Sequence, residues 1–170
     1  MHNSRDISNF KNMIRAKTVT ALLIITTFAL TACSTQSSTE VGGLSFEGYT
    51  FGRSTADQQI EATETTAFAP GDQIHLILKN VGPFQAGEDG KHRLDMDLEI
   101  KNADREIIFE QSDILGEAGV TELEQGIADT PYGTFHSGAD LPTGKYTIKL
   151  TIHDKVGGGY VSQKASFTLE

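Results

Sequence analysis

Hydrophobic and polar residues alternate along four stretches of the chain, and this alternation predicts β-strands. In residues 94–101 (LDMDLEIK) every second side chain is apolar and the others are charged. Residues 73–79 (QIHLILK), 145–153 (KYTIKLTIH) and 165–169 (ASFTL) follow the same period. A period of two with one polar face is typical of antiparallel sheet that has one face on a core and the other in water. The sequence therefore predicts antiparallel sheets around a hydrophobic core.

Shorter stretches add weaker strand candidates, at residues 44–51, 59–66, 106–111 and 132–136. Turn-forming residues separate the candidate strands, at residues 70–72, 82–83, 102–104, 142–144 and 157–159. The one segment that could hold a helical turn, residues 115–128, contains three glycines, so a long helix is not expected there. About seven to eight short strands predict an all-β domain, an antiparallel β-sandwich.

Two turn sequences resemble those of bacterial immunoglobulin-like domains. Residues 68–72 (FAPGD) look like the start of the second strand in that family, and residues 141–146 (LPTGKY) look like the start of its sixth strand. The resemblance covers residues 46 to 170 and implies a β-sandwich with Greek-key connections. In such domains a tyrosine at the position of Tyr146 ties a corner of the fold through its hydroxyl. The cysteines and tryptophan of antibody domains are missing, so kinship with those is not implied.

The N-terminal residues have a different pattern. Four basic residues, Arg5, Lys11, Arg15 and Lys17, precede an apolar stretch at residues 19–30. This stretch is shorter than the roughly 20 residues that a membrane-spanning helix needs. A basic leader, a short apolar run and small residues at its end predict a secretory signal peptide.

Residues 30–33 (LTAC) end this stretch on the chain's single cysteine and resemble the lipobox of bacterial lipoproteins. The resemblance implies cleavage between Ala32 and Cys33, a diacylglycerol on the Cys33 thiol and an acyl chain on its new amino group. Ser34 is not an aspartate, which by the same resemblance favours the outer membrane, on the face toward the periplasm. An ordinary signal peptide with an unpaired cysteine, or an uncleaved membrane anchor, are the alternatives.

The sequence thus divides into three parts. Residues 1–32 are the expected signal peptide, and residues 44–170 are the expected immunoglobulin-like domain. Between them, residues 33–43 carry the expected lipid on Cys33 and continue as STQSSTEVGG. This run lacks apolar periodicity and has the composition of a flexible tether.

The net charge of the chain and the absence of two common motifs argue against several classes of function. The chain has a net charge of −9, and because the leader is basic, the remainder is more acidic still. This balance argues against nucleic acid as a partner and against electrostatic docking on anionic lipid. No G-x-S-x-G turn is present, and residues 157–159 (GGG) lack the Lys-Ser or Lys-Thr of a phosphate-binding loop. The sequence predicts a non-enzymatic protein without a cofactor other than its covalent lipid.

Acidic and histidine side chains in and after the loop at residues 87–92 form one candidate binding site. Carboxylates suit a hard cation such as calcium, and the candidate ligands are Glu88, Asp89, His92, Asp95, Asp97 and Asp154. The calcium-loop spacing D-x-[DN]-x-[DN]-G is absent. The alternative is that these acids form the solvated face of a strand.

Three aromatic residues beside turns form a second candidate: Phe84, Tyr132 and Phe135. Exposed together they would make a patch for a partner protein, and folded back they would plug the ends of the sandwich. The sequence therefore predicts a membrane-anchored bacterial lipoprotein whose β-sandwich binds or scaffolds another protein of the cell envelope. The alternative is an accessory lipoprotein that binds a metal or a small ligand through residues 88–97.

Overall fold

The computed structural model describes residues 37–55 and 57–170. The predicted signal peptide, its cleavage site at Ala32–Cys33 and the first residues of the predicted tether lie outside the described residues. The described part forms eleven strands: β1 (Ser38–Gly42), β2 (Gly48–Ser54), β3 (Ile60–Thr63), β4 (Ala67–Phe68), β5 (Gln73–Lys79), β6 (His92–Lys101), β7 (Ile107–Gln111), β8 (Val120–Thr121), β9 (Tyr132–His136), β10 (Gly144–Asp154) and β11 (Tyr160–Leu169). It also forms two short 3₁₀ turns, Gly116–Gly119 and Glu124–Gly126. Among these residues no helix is long and apolar enough to cross a membrane.

The strands form two sheets packed face to face. The large sheet has the order β1-β11-β10-β6-β7, with the short β4 beside β11 and the short β8 beside β6. The small sheet has the order β3-β2-β5-β9. All pairs are antiparallel except β4 with β11. The prediction of an all-β, immunoglobulin-like antiparallel sandwich is confirmed.

The alternating stretches of the sequence became the central strands. β5 has the predicted bounds, and β6 and β10 extend theirs by one or two residues. β11 begins at Tyr160, earlier than predicted. Its first half was missed because Ser162, Gln163 and Ser166 are buried polar residues that interrupt the apolar pattern. Segment 115–128 holds the two 3₁₀ turns and no α-helix. The strands β1, β4 and β8 were not predicted, because they are too short or too polar to show a hydrophobic period.

β1 corrects the predicted tether. Residues Ser38–Gly42 lie within the segment expected to be flexible, but they pair with β11 from Ser38–Lys164 to Gly42–Tyr160. Four of the five residues are exposed, so no hydrophobic alternation marks the strand. Backbone hydrogen bonding at an open sheet edge holds it, together with a 2.6 Å bond from the Thr39 hydroxyl to Gln163 Oε1.

The core lies between the sheets and is built from their inward-facing side chains. Phe167 packs against Phe51, Phe68 and Phe135, with ring centroids 6.1–6.3 Å apart. The Tyr146 ring stacks on Phe167 at 5.6 Å, and its hydroxyl donates a 2.7 Å hydrogen bond to the carbonyl of Pro142. This is the corner expected from the sequence resemblance. The largest fully buried side chains are Leu44, Phe68, Ile74, Leu76, Leu78, Leu98, Ile100, Ile148, Leu150, Ile152, Phe167 and Leu169.

Candidate functional site

An apolar groove opens between the two sheets on the side where β7 ends the large sheet and β9 ends the small one. We call this groove the seam; its volume is about 440 Å³. Its floor consists of buried side chains from two strands of the large sheet, Leu94, Met96 and Leu98 of β6 and Ile152 of β10. Ligand sites of proteins are concave, mostly apolar and roughly 300–1,000 Å³ in volume, so the seam has the size and chemistry of a binding site.

One wall of the seam is the segment that follows β7. The Ile114 amide donates to the Met96 carbonyl at 3.0 Å, and the Leu115 amide donates to Asp95 Oδ1 at 3.3 Å. These bonds hold two half-buried apolar side chains, Ile114 and Leu115, along β6. Away from this wall, Phe109 of β7 contacts Phe135 of β9, with ring centroids 5.9 Å apart. That contact bridges the two edge strands.

The opposite wall is β9, and Gly133 shapes it. Phe135 and Gly133 occupy inward positions of this strand, and both are buried. A Cβ atom on Gly133 would lie 3.0 Å from methyl carbons of both Leu98 and Leu150. The missing side chain therefore lets the Leu98 and Leu150 side chains approach the backbone of β9 closely where the seam opens. We did not predict a role for Gly133 from the sequence; the available signal was a glycine at an inward position of a short alternating strand.

The backbone of β9 also faces the seam. The Ser137 amide donates to the Asp72 carbonyl at 3.0 Å, and the Leu78 amide donates to the Pro131 carbonyl at 2.9 Å. Since backbone groups alternate in direction along an antiparallel strand, those of Tyr132 and Thr134 point away from β5. In the described part of the chain β9 is the last strand of its sheet. A row of backbone donors and acceptors therefore borders the apolar floor.

The acids next to the seam in the sequence lie on the outer face of the large sheet. Glu110 lines a polar pocket there with Asp97, Glu99 and Lys149, and Asp113 pairs with Lys155. Lys155 lies 3.1 Å from Asp113, but it also contacts Asp95 at 3.2 Å, so one cation serves two acids.

A buried histidine supports β9 from the outer face of the small sheet. His75 is only 2% exposed, and its ring nitrogens lie 2.9 Å from the hydroxyls of Ser54 and Thr134. The Tyr132 ring packs edge-on against the imidazole, with centroids 5.8 Å apart. Burial lowers the pKa of His75, and the nearby charge of His136 lowers it further. A neutral His75 thus fixes two outward side chains of the seam wall.

The acidic residues proposed as metal ligands on β6 bind protein donors. Asp95 accepts hydrogen bonds from the amides of Met96 (2.8 Å) and Leu115. Burial raises the pKa of Asp95, but hydrogen bonding with Asp113, the Met96 amide and Lys155 outweighs burial and holds this pKa below its usual value. On the same face, His153 Nε2 lies 2.8 Å from Asp97 Oδ2. Both carboxylates serve to fix neighbouring segments to the outer face of β6.

The other candidate metal ligands either bind protein groups or are exposed at the surface. Asp154 is buried and accepts hydrogen bonds from three backbone amides around the β10–β11 turn. Asp89 pairs with Arg93 at 2.6 Å, and the hydrogen bond from Arg93 lowers the pKa of Asp89 to about 2. His92 Nδ1 accepts from the Leu123 amide, while Glu88 is exposed. Within residues 37–55 and 57–170, no group of three or more His, Cys, Asp or Glu side chains could hold a metal ion. The metal site stays a prediction.

The aromatic patch predicted from the sequence does not form as a unit. Phe84 and Phe135 are 4% and 5% exposed, whereas Tyr132 is 44% exposed. Phe135 is an inward residue of β9, and the Phe84 amide bonds the Gly126 carbonyl at 2.8 Å, which draws its loop into the core. Two of the three rings therefore plug the sandwich, and only Tyr132 can contact a partner.

No protein-family model matches this chain, and a search of curated proteins finds no match. Among solved structures, the chain is similar to the crystal structure of the C-terminal domain of wzt. The two are 13% identical, with a TM-score of 0.46, over 81% of this chain and 78% of that chain. A likeness this distant carries no argument about function.

Proposed function

We propose that this protein is a bacterial lipoprotein, held by acyl chains on Cys33 to a membrane of the cell envelope, and that its β-sandwich is a non-enzymatic binding module. The expected location is the outer membrane, on the face toward the periplasm. The seam carries the proposal: it is the apolar groove that β9 borders with outward backbone groups. Its occupant is an extended segment of another envelope protein.

The lining of the seam favours an extended protein segment over a small apolar molecule. A segment added beside β9 would satisfy the outward backbone groups of Tyr132 and Thr134, which a lipid or a small hydrocarbon cannot do. Alternate side chains of such a segment would point to the floor formed by Leu94, Met96 and Leu98.

Crosslinking from the seam tests the binding module. A photo-crosslinking residue placed at Gln111 or Thr130, both exposed at the seam, should join one defined envelope protein in living cells. The same residue at Val156, which is exposed at the β10–β11 turn, is the control. Mass spectrometry of the adduct should place the joined residue in an extended segment with alternating apolar side chains. An adduct with a lipid or small molecule, or equal adducts from Val156, would contradict the proposal.

A glycine pair provides a matched test of the groove itself. Gly133→Val should push aside the Leu98 and Leu150 side chains, distort the floor of the seam and abolish the adducts from Gln111. Gly48→Val, also in a strand of the small sheet, adds the same atoms where nothing lies within 4 Å of a Cβ. The Gly48 variant should keep the adducts. Equal crosslinking by both variants would show that the groove is not the binding surface.

The anchor has its own test. The lipobox resemblance at residues 30–33 supports it, and mass spectrometry of the mature protein should find Cys33 as a triacylated first residue. Cys33→Ser should release the protein from the membrane fraction. An unmodified thiol, or unchanged fractionation of the serine variant, would refute the anchor and leave the seam hypothesis to stand on its own crosslinks.

A further inference from the structure

The outer face of the large sheet carries a cluster of cations next to the beginning of β1. Lys101 of β6, Arg105 of the β6–β7 hairpin, Lys145 of β10 and Lys164 of β11 line a polar pocket of about 690 Å³. Ser37 and Ser38, the first described residues, line it too. We call this site the basic pocket. Lys149 adjoins it, in a second polar pocket that shares Lys101 and Lys164.

The register of the sheet sets two lysines against each other in this cluster. Lys149 of β10 lies directly opposite Lys164 of β11 and, on its other side, directly opposite Glu99 of β6. Like charges opposite each other destabilise a sheet, so an anion bound beside Lys164 would add to the compensation that Glu99 provides. Lys101 is paired with Glu99 at 2.7 Å. Among the described residues no ion pair involves Arg105, Lys145, Lys149 or Lys164.

The positive charge of this cluster is opposite in sign to the net charge of the protein. The chain carries −9 overall, and from that balance alone we expected no electrostatic docking on anionic lipid. Strand pairing nevertheless gathers cations from β6, β10 and β11, which are distant in sequence, onto one face. The local field at this face is therefore set by the pairing rather than by the net charge.

We infer that the basic pocket binds the phosphate groups of anionic lipids in the membrane that holds the protein. The choice of a membrane as the source of phosphate rests on the proposed function, because it uses the anchor at Cys33. Ser37 follows Cys33 by four residues, which span at most about 14 Å even when fully extended. A pocket bordered by Ser37 is thus within reach of the headgroups around the acyl chains, where clustered cations attract anionic lipid.

Docking through this pocket also orients the binding module. The basic pocket lies on the outer face of the large sheet, whereas the seam is built on the inward-facing side chains of the same sheet. With the outer face against the headgroups, the membrane does not cover the seam, which stays open to a partner. The basic pocket would therefore act together with the lipid: acyl chains keep the protein at the surface, and phosphate contacts set its orientation.

Residue-resolved lysine labelling of the full-length, membrane-processed protein tests this inference. The protein is placed on vesicles of phosphatidylcholine, with or without phosphatidylglycerol, and the acetylation rate of each lysine is measured by mass spectrometry. Lys145 and Lys164 should react about 5-fold more slowly on the anionic vesicles, and high salt should remove the difference. Lys79 and Lys91, which are also exposed, are internal controls and should not change.

Charge-reversal variants provide the matched comparison. The pair Lys145→Glu and Lys164→Glu should abolish the protection of Lys149 on anionic vesicles. The pair Lys79→Glu and Lys91→Glu changes the net charge equally at exposed positions outside the pocket and should preserve that protection. Equal protection of all lysines, no protection, or equal effects of the two pairs would overturn the inference.

Two further arms separate the sources of phosphate and the two proposals. If inorganic phosphate added to neutral vesicles protects Lys145 and Lys164 as strongly as phosphatidylglycerol does, membrane docking is overturned. A protein that floats with anionic vesicles but not with neutral ones refutes the acyl anchor while it supports the basic pocket. A protein that floats equally with both and shows no difference in labelling supports the anchor and refutes the pocket.

Discussion

Substitution of Asp154 distinguishes a structural carboxylate from a metal ligand. The side chain is 3% exposed and accepts hydrogen bonds from the amides of Gln85 (2.9 Å), Val156 (3.0 Å) and Gly157 (2.9 Å). Asp154→Ala would leave three backbone donors without this acceptor. A buried donor without a partner costs about 1–3 kcal/mol. Because the turn at residues 155–158 is exposed and water can reach it, we take the lower end of this range, about 1 kcal/mol for each of the three donors. We expect a loss of about 3 kcal/mol in the free energy of unfolding.

Urea unfolding measures this loss. With a slope of about 2 kcal/mol per molar urea, the midpoint should fall by roughly 1.5 M while the slope stays unchanged. The control is Asp104→Ala, which removes an exposed carboxylate from the β6–β7 hairpin and should change the free energy of unfolding by less than about 0.5 kcal/mol. A loss below about 1 kcal/mol for Asp154→Ala would refute the reasoning that this carboxylate anchors the turn.

The same variants test the metal site predicted from the sequence. If Asp154 helps to bind a cation, calcium or zinc should raise the melting temperature of the unmodified protein, because a ligand that binds only the folded state stabilises it. The conservative variant Asp154→Asn should remove that rise. If Asp154 serves only the turn, neither ion should change the melting temperature of either protein.

Three other predictions concern single side chains. Tyr146→Phe should lower the free energy of unfolding by about 1 kcal/mol, because the bond to the Pro142 carbonyl is lost; an unchanged urea midpoint would contradict this. Burial, then the charge of His136, lowers the pKa of His75 from 6.5, so the unfolded chain takes up that proton more readily. Stability should therefore decline as pH falls below about 6.5, and His75→Gln should flatten this decline in urea titrations at several pH values; equal pH slopes would count against it. Lys155→Met should raise the pKa of Asp95 in a carboxyl NMR titration, because the hydrogen bond from Lys155 that lowers this pKa is lost while the burial that raises it remains. A pKa that does not move would contradict the role of the ion pair.

The repeating strands were readable from the sequence because their signal is local. In residues 73–79 and 94–101 the alternation follows from burial of one face, and the structure has strands there. The same is true of the tyrosine corner, whose hydrogen bond joins Tyr146 to Pro142 only four residues away. β1 was missed, because its stability comes from pairing with β11 at the far end of the chain.

The candidate sites show the same division. The sequence by itself determined the strand periods, the turns and the acidic average charge, since each depends on neighbouring residues or on composition. Only the tertiary structure decided which edges stay open, which aromatic rings are buried and which cations meet. The seam needs β6 and β9 on facing sheets, and the basic pocket needs lysines of three paired strands. Both depend on register between distant segments, and no local pattern encodes that register.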